Sequence, residues 1–106
     1  MSENRLVAQT YTLSEEALRL NAWLGDAVLG LFMRKKIALD QKKINTPVFI
    51  EVTSNQFLSS MGSPTRVEAQ IGMIYSNQGI EAAESFIETE IWPRAEKRIA
   101  KISSKS

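Results

Sequence analysis

The sequence predicts an all-α domain, and three observations carry that prediction. Apolar residues recur at helical spacing from position 18 to position 37. Two Ser/Thr-Pro pairs, at positions 46–47 and 63–64, have the cap-then-proline order that starts helices. Pro93 interrupts a further helical pattern. Because 106 residues hold one hydrophobic core, residues 1–106 are expected to form a single compact domain of about four to five helices.

The first helix is predicted to begin after Ser14 and to end near Asp40. Ser14 has the side chain of an N-cap, and two glutamates follow it, where the helix dipole favours negative charge. The helix is apolar over much of its circumference, which predicts a central place in the fold. The polar segments 1–12 and 103–106, at the two ends of the chain, are expected to be flexible.

The middle of the chain allows two interpretations. Residues 48–58 begin with β-branched side chains, as a strand would, but their apolar residues fit helical spacing better, and Gly62 suits a helix end. The next helix is predicted from Ser63 to about residue 77, with a glycine closing it. A last helix, starting near residue 80, is expected to break around residues 91–92, just before Pro93.

Cysteine and histidine are both absent from the sequence. Without cysteine there is no disulfide and no thiolate metal site, and without histidine the commonest general base and the nitrogen ligands of zinc are missing. Any catalysis therefore depends on carboxylates. Any metal is expected to be a hard, oxygen-seeking ion such as Mg²⁺.

The formal net charge is +1, so the position of the charges matters more than their sum. Basic residues cluster at Arg34-Lys35-Lys36, at Lys42-Lys43 and along the C-terminal segment. The sequence has no secretory signal and no apolar run of bilayer length. These features predict an intracellular protein, cytoplasmic or organellar, that makes no membrane contact.

Asp26 and Glu68 are each a lone acid on a mostly apolar helical stretch. Gly25 and Gly30 beside Asp26 each cost the helix about 1 kcal/mol relative to alanine, which indicates close approach of another backbone. Two helices that pack there could bring both acids to one divalent cation, which could activate water and stabilise charge on a phosphate. From the residues alone, a solvated surface aspartate and a metal ligand are both open interpretations of Asp26.

Four segments in sequence order resemble one known family. Leu24-Gly25-Asp26-Ala27-Val28-Leu29 resembles the signature helix of the ribonuclease III domain, and Glu68-Ala69-Gln70-Ile71-Gly72-Met73-Ile74-Tyr75 resembles its second acidic helix. Residues 52–58 are similar to the intervening Val-Ser-Asn helix, and residues 78–83 to the turn into the last helix. In character the chain is closest to the compact Mini-III branch, shortened in the middle. The resemblance implies a compact helical endonuclease domain that forms a twofold dimer.

This resemblance implies an endoribonuclease that uses Mg²⁺, or Mn²⁺, to hydrolyse double-stranded RNA in RNA processing. Asp26 and Glu68 are then the catalytic, metal-binding acids. Trp23 falls where the family places an aromatic that inserts into the partner subunit, so Trp23, Leu24 and Val28 are expected at a homodimer interface. RNA contacts are expected from the basic residues Arg34, Lys35, Lys36, Lys42 and Lys43.

The sequence departs from the family at three positions that are usually acidic, which are Arg19, Ala22 and Thr65 here. Neutral residues also occur there in the Mini-III branch, but the charge of Arg19 would compete with a cation unless it contacts RNA phosphate. An active nuclease and a catalytically weakened ribonuclease III-like module, for RNA binding or dimerisation in a ribonucleoprotein, are therefore alternatives. A helical interaction domain without a site is a third.

Overall fold

The computed structural model describes the backbone of residues 2–104 and the side chains of residues 5–103. This part of the chain contains an N-terminal 3₁₀ helix and six α-helices, without a strand. Their bounds are Ser2–Thr12 for the 3₁₀ helix, then α1 Glu15–Gln41, α2 Thr46–Thr53, α3 Asn55–Leu58, α4 Pro64–Gln78, α5 Ile80–Glu90 and α6 Trp92–Ser104. The all-α prediction is confirmed. The described residues form six α-helices, more than the four to five expected, because the middle segment forms two helices and not one.

α1 begins where the sequence predicts, because Ser14 caps it. The Ser14 hydroxyl accepts a hydrogen bond from the Ala17 N–H at 3.1 Å. The helix ends at Gln41, after which Lys42 takes a left-handed conformation, with φ of 59°, and donates its N–H to the Ala38 carbonyl.

The middle segment forms two short helices, so the strand interpretation is wrong. Asn45 caps α2, since its side chain accepts from the Val48 N–H at 3.2 Å; the expected cap, Thr46, is the first helical residue. Ser54 is extended, with ψ of 156°, and this ends α2. Its hydroxyl then accepts from the Phe57 N–H at 3.1 Å and starts α3.

The later boundaries follow the sequence signals. Ser63 caps α4 with Pro64 in its first turn, and Gly79 ends it with φ of 97°. The predicted break before Pro93 separates α5 from α6. Gly62 does not end a helix as expected: α3 has already ended at Leu58, and Gly62 lies in the connector with φ of 140°.

The segment expected to be flexible at the N-terminus is a 3₁₀ helix that packs on α4. Its three-residue repeat places Val7 and Thr10 on one face, and both are fully buried. Arg66 donates to the Thr10 carbonyl at 3.0 Å and lies 4.0 Å above the Tyr11 ring. Ser103 and residue 104 belong to α6. Residue 1 and residues 105–106 lie outside the described residues.

The hydrophobic core lies between α1, α4 and the last two helices. Trp92 contacts Phe32 edge to face, with ring centroids 6.1 Å apart. The largest fully buried side chains of this core are Leu29, Met33, Leu58, Ile71, Ile87 and Ile91. A smaller apolar cluster, Leu18, Ala22 and Ala69, joins α1 to α4 nearer the start of α1. The fold therefore centres on the α1–α4 contact.

Candidate functional site

α1 and α4 cross with their backbones in direct contact at two glycines. A Cβ atom on Gly25 would lie 1.7 Å from the Glu68 carbonyl oxygen, and one on Gly72 would lie 1.9 Å from the Asn21 carbonyl oxygen. The close approach predicted for Gly25 is therefore confirmed. For Gly30 it is wrong, because a Cβ there would meet only side chains, at 3.1 Å or more.

The crossing brings Asp26 and Glu68 together. Asp26 follows Gly25 along α1, and Glu68 is the residue whose carbonyl faces Gly25. Asp26 is near enough to act on the Glu68 carboxyl group, both as a hydrogen-bonding neighbour and through its negative charge. Burial is the largest cause that raises the pKa of Glu68, and the hydrogen bond and negative charge of Asp26 add to it, so that the pKa is about 7. Because Asp26 is exposed and Glu68 half-buried, the pair opens to solvent.

The chemistry of this acid pair fits a hard divalent cation. Two adjacent carboxylates repel, and either a proton on Glu68 or a bound cation relieves that repulsion. Mg²⁺ is commonly held by one or two carboxylates and completes its shell with water. Within residues 5–103, no group of three or more Asp, Glu, His or Cys side chains could hold a metal. The described part of the chain would therefore supply two acidic ligands.

The three positions that depart from the family pattern differ in their surroundings. Ala22 is buried in the smaller apolar cluster, and Thr65 is exposed in the first turn of α4. Arg19 pairs with Glu15 at 3.2 Å, and both side chains are largely exposed. The positive charge of Arg19 is thus partly balanced within α1.

The five basic residues predicted to contact RNA fall into two groups. Lys35 and Lys36 face α5, where they pair with Glu84 at 2.6 Å and with Glu88 at 2.7 Å. The Lys36 ammonium also lies 5.3 Å from the centroid of the Trp92 ring. These two lysines therefore help to hold α5 against α1.

Arg34, Lys42 and Lys43 instead surround an apolar hollow between the end of α1 and α2. The Arg34 guanidinium lies 4.1 Å above the Phe49 ring, and the strongly exposed Ile44 also lines the hollow. No acidic side chain is among the described residues that line it. The basic residues can be recognised in the sequence, but the apolar surface between them cannot. That surface is formed by residues of the end of α1, of α2 and of the connector that joins them.

The residues predicted for a dimer interface have very different exposures. Trp23 is 73% exposed, Leu24 is half-buried, and Val28 is only 6% exposed, inside the core of its own chain. The exposed apolar side chains at helical spacing along this side of α1 are Leu20, Trp23, Ala27 and Leu31, which we call the α1 stripe. Val28 therefore offers a partner almost no surface, whereas the α1 stripe does.

The search for membrane-spanning helices and the comparisons with known proteins do not assign a function to this chain. None of the helices in residues 2–104 is long and apolar enough to cross a bilayer. In comparisons with known proteins, no family model matches the sequence, and no curated protein or solved structure matches the chain. The function is therefore inferred from the residues and their geometry.

Proposed function

We propose that this chain is a minimal ribonuclease III-like endoribonuclease that cleaves double-stranded RNA with Mg²⁺ or Mn²⁺ during RNA processing. The observation that supports it most is that the Gly25–Gly72 crossing brings Asp26 near enough to Glu68 to raise the pKa of the Glu68 carboxyl group. Adjacent acids destabilise a fold unless something compensates them, and they are concentrated at functional sites. The backbone contact holds both acids on rigid helices, as an active site requires.

Asp26 and Glu68 would hold the cation through their carboxylate oxygens. A bound Mg²⁺ supplies Lewis-acid polarisation of the phosphodiester and lowers the pKa of a bound water. With a pKa of about 7, Glu68 exchanges its proton near neutral pH, and its ionised form is the one that serves as a ligand. Cation binding is therefore expected to strengthen as the pH rises through neutrality.

Double-stranded RNA would be held by phosphate contacts. Arg34, Lys42 and Lys43 form no ion pair with the described acidic residues, so their charges are available to a polyanion. A duplex is recognised mainly through its phosphates and 2′-hydroxyl groups, which suits such side chains. Lys35 and Lys36 would contribute less, because Glu84 and Glu88 already neutralise them.

The proposal includes a twofold homodimer. The α1 stripe is an apolar surface on the central helix, and Trp23 is its largest exposed side chain. Exposed tryptophans are frequent anchors of interfaces. A twofold axis at this face would combine two Asp26–Glu68 pairs in one assembly, one for each strand of a duplex.

A catalytically weakened ribonuclease III-like module is the second candidate. It is favoured by the small acid set, since no cluster of three potential metal ligands occurs among residues 5–103 and the usual acids are replaced at Arg19, Ala22 and Thr65. In this case the basic side chains and the α1 stripe would bind RNA or a second copy within a ribonucleoprotein, but the phosphodiester would stay intact.

A cleavage assay with a perfect RNA duplex separates the two candidates. We expect cleavage in Mg²⁺ or Mn²⁺ that is abolished by Asp26→Asn and by Glu68→Gln. Glu81→Gln, which neutralises an exposed acid at the start of α5, is the matched control and should stay active. Circular dichroism confirms that the variants fold. Duplex binding without cleavage, at every concentration of either ion, would support the module instead.

A further inference from the structure

The apolar hollow between the end of α1 and α2, which we call the α1–α2 hollow, has the features of a docking surface. Its volume is about 890 Å³, within the range of binding cavities. Two of its large aliphatic side chains meet solvent, since Ile44 is 92% exposed and Ile50 is 59% exposed. Apolar surface that is exposed and collected in one place is typical of an interaction site. Asp26 and Glu68 do not line the hollow, so its occupant is independent of the proposed nuclease activity.

Three positive charges border the α1–α2 hollow. Arg34 lies on the α1 side, and its guanidinium is held 4.1 Å above the Phe49 ring. Lys42 and Lys43 follow the end of α1, and both are exposed. None of the three cations forms an ion pair with an acid of the described residues. The hollow therefore presents an apolar floor with cations at its rim.

The acidic residues that are near the hollow in the sequence face other surfaces. Asp40 lines a different hollow, beside Trp92. Glu51 pairs with Arg98 of α6 at 2.6 Å. The positive charge at the rim thus has no compensation within the hollow, and it is complementary to an acidic partner.

A matching occupant must supply apolar side chains and several anions at once. A fatty acid brings one anion to three cations, and an RNA duplex brings many phosphates but no apolar side chain to cover Ile44 and Ile50. An amphipathic helix with acidic residues beside its apolar face brings both. α2 has 8 residues, so it is about 12 Å long and can lie beside about two turns of a docked helix. The chemistry and the length of the hollow therefore favour a helical peptide.

We propose that the α1–α2 hollow binds an acidic amphipathic helix of a partner protein. The apolar face of that helix packs on Ile44, Phe49 and Ile50, and its flanking carboxylates pair with the three cations of the rim. Lys42 and Lys43 are also among the residues proposed to contact RNA. An acidic helix bound here would therefore compete with duplex RNA for these two lysines.

Fluorescence anisotropy with labelled peptides, added to the full chain without RNA or metal ion, tests the chemistry of the partner. The probe is a helical peptide of about 14 residues with leucines at i, i+3, i+4 and i+7 and glutamates on both sides of them. We expect it to bind about tenfold or more tightly than the same peptide with lysines in place of the glutamates. It should equally exceed a rearranged peptide of the same composition whose leucines share no helix face. No binding of the acidic peptide, or equal affinities for the three peptides, would overturn the proposal.

Variants of the apolar floor test the site itself. Ile44→Ser and Ile50→Ser are each expected to weaken binding of the acidic peptide by about tenfold or more, because each removes an aliphatic side chain that the peptide would bury. Both side chains are exposed in the free chain, so the variants should fold, which circular dichroism checks. Leu39→Ser is the matched control, since Leu39 is 69% exposed on α1 and lies outside the hollow. Unchanged peptide binding in both isoleucine variants would overturn the proposal.

Duplex RNA binding by the same variants separates the two kinds of polyanion. Ile44→Ser and Ile50→Ser should leave RNA binding unchanged, since a duplex would contact the rim through its phosphates. Replacement of Lys42 and Lys43 by alanine should weaken the binding of both peptide and RNA. Weaker RNA binding in the isoleucine variants, without any peptide binding, would assign the hollow to RNA and overturn the inference. Absence of RNA cleavage would contradict the nuclease proposal alone, because the peptide affinities are measured without RNA.

Discussion

Gly25 and Gly72 face each other where α1 crosses α4, and each leaves space that the backbone of the other helix occupies. A Cβ on Gly25 would lie 2.9 Å from the Gly72 nitrogen as well as 1.7 Å from the Glu68 carbonyl oxygen. Since Asp26 is the next residue after Gly25, this contact also determines how near the two carboxyl groups stand. The stability of the crossing and the chemistry of the acid pair are thus linked.

Gly25→Ala is expected to lower the free energy of unfolding by about 3 kcal/mol, because its methyl group would overlap the Glu68 carbonyl and the two backbones would have to separate. Gly30→Ala is the matched control in the same helix. Its methyl group would displace only the end of the Arg34 side chain, so the variant should be as stable as the parent, or more stable by up to about 1 kcal/mol. Urea denaturation measures both. Equal stability of the two variants would contradict the close crossing.

The free energy of unfolding is expected to decrease as the pH rises from 4.5 to about 7, because of Glu68. The pKa of Glu68 is higher in the folded chain than its ordinary value, so the folded chain binds more protons in this window and a rise in pH favours unfolding. Glu68→Gln should remove this dependence. Denaturation in metal-free buffer across the window is the measurement, and Glu81→Gln, which should retain the parent's slope, is the control.

Mg²⁺ is expected to raise the melting temperature more above pH 7 than below it. Glu68 must lose its proton to act as a ligand, and a cation that binds only the folded chain stabilises it by mass action. Asp26→Asn should lose most of this effect. Thermal melts with and without Mg²⁺, at matched ionic strength, provide the comparison. An equal shift in Asp26→Asn would mean that the ion binds elsewhere.

Trp23→Ala is expected to shift the mass in solution from dimer toward monomer, because it removes the largest side chain of the α1 stripe. Leu39→Ala is the control, since Leu39 is 69% exposed on another side of the same helix. Neither variant loses a core contact, so unfolding of the monomer should change by no more than about 0.5 kcal/mol. Analytical ultracentrifugation measures the mass. A parent chain that is monomeric at all concentrations would remove the dimer from the proposal.

Replacement of Lys42 and Lys43 by alanine is expected to weaken duplex RNA binding at all sequences and to reduce the salt dependence of the affinity by about one unit per lost phosphate contact. Replacement of Lys35 and Lys36 should reduce RNA binding less, because these lysines pair with acids of α5. Binding isotherms at several salt concentrations measure the slopes. Equal losses of RNA affinity in the two double variants would show that the ion pairs with α5 do not reduce the contribution of Lys35 and Lys36 to RNA binding.

The starts and breaks of most helices could be predicted from the sequence because their signals are local. Ser14 and Ser63 each bond to an N–H three residues away, and Pro93 acts on its own turn. The same local logic failed at Thr46, where the adjacent Asn45 is an equally suitable cap and holds the hydrogen bond. The N-terminal 3₁₀ helix was missed because its anchor, Arg66, lies 56 positions from Thr10.

The sequence by itself determined the all-α class, the two lone acids and the glycine beside one of them. Only the tertiary structure decided which of these residues meet. It brought Asp26 to Glu68, paired Lys35 and Lys36 with α5, and buried Val28. Each outcome depends on residues that are distant along the chain, and the backbone contact at Gly25 and Gly72 sets how closely α1 and α4 approach. Local propensity carries no information about that distance.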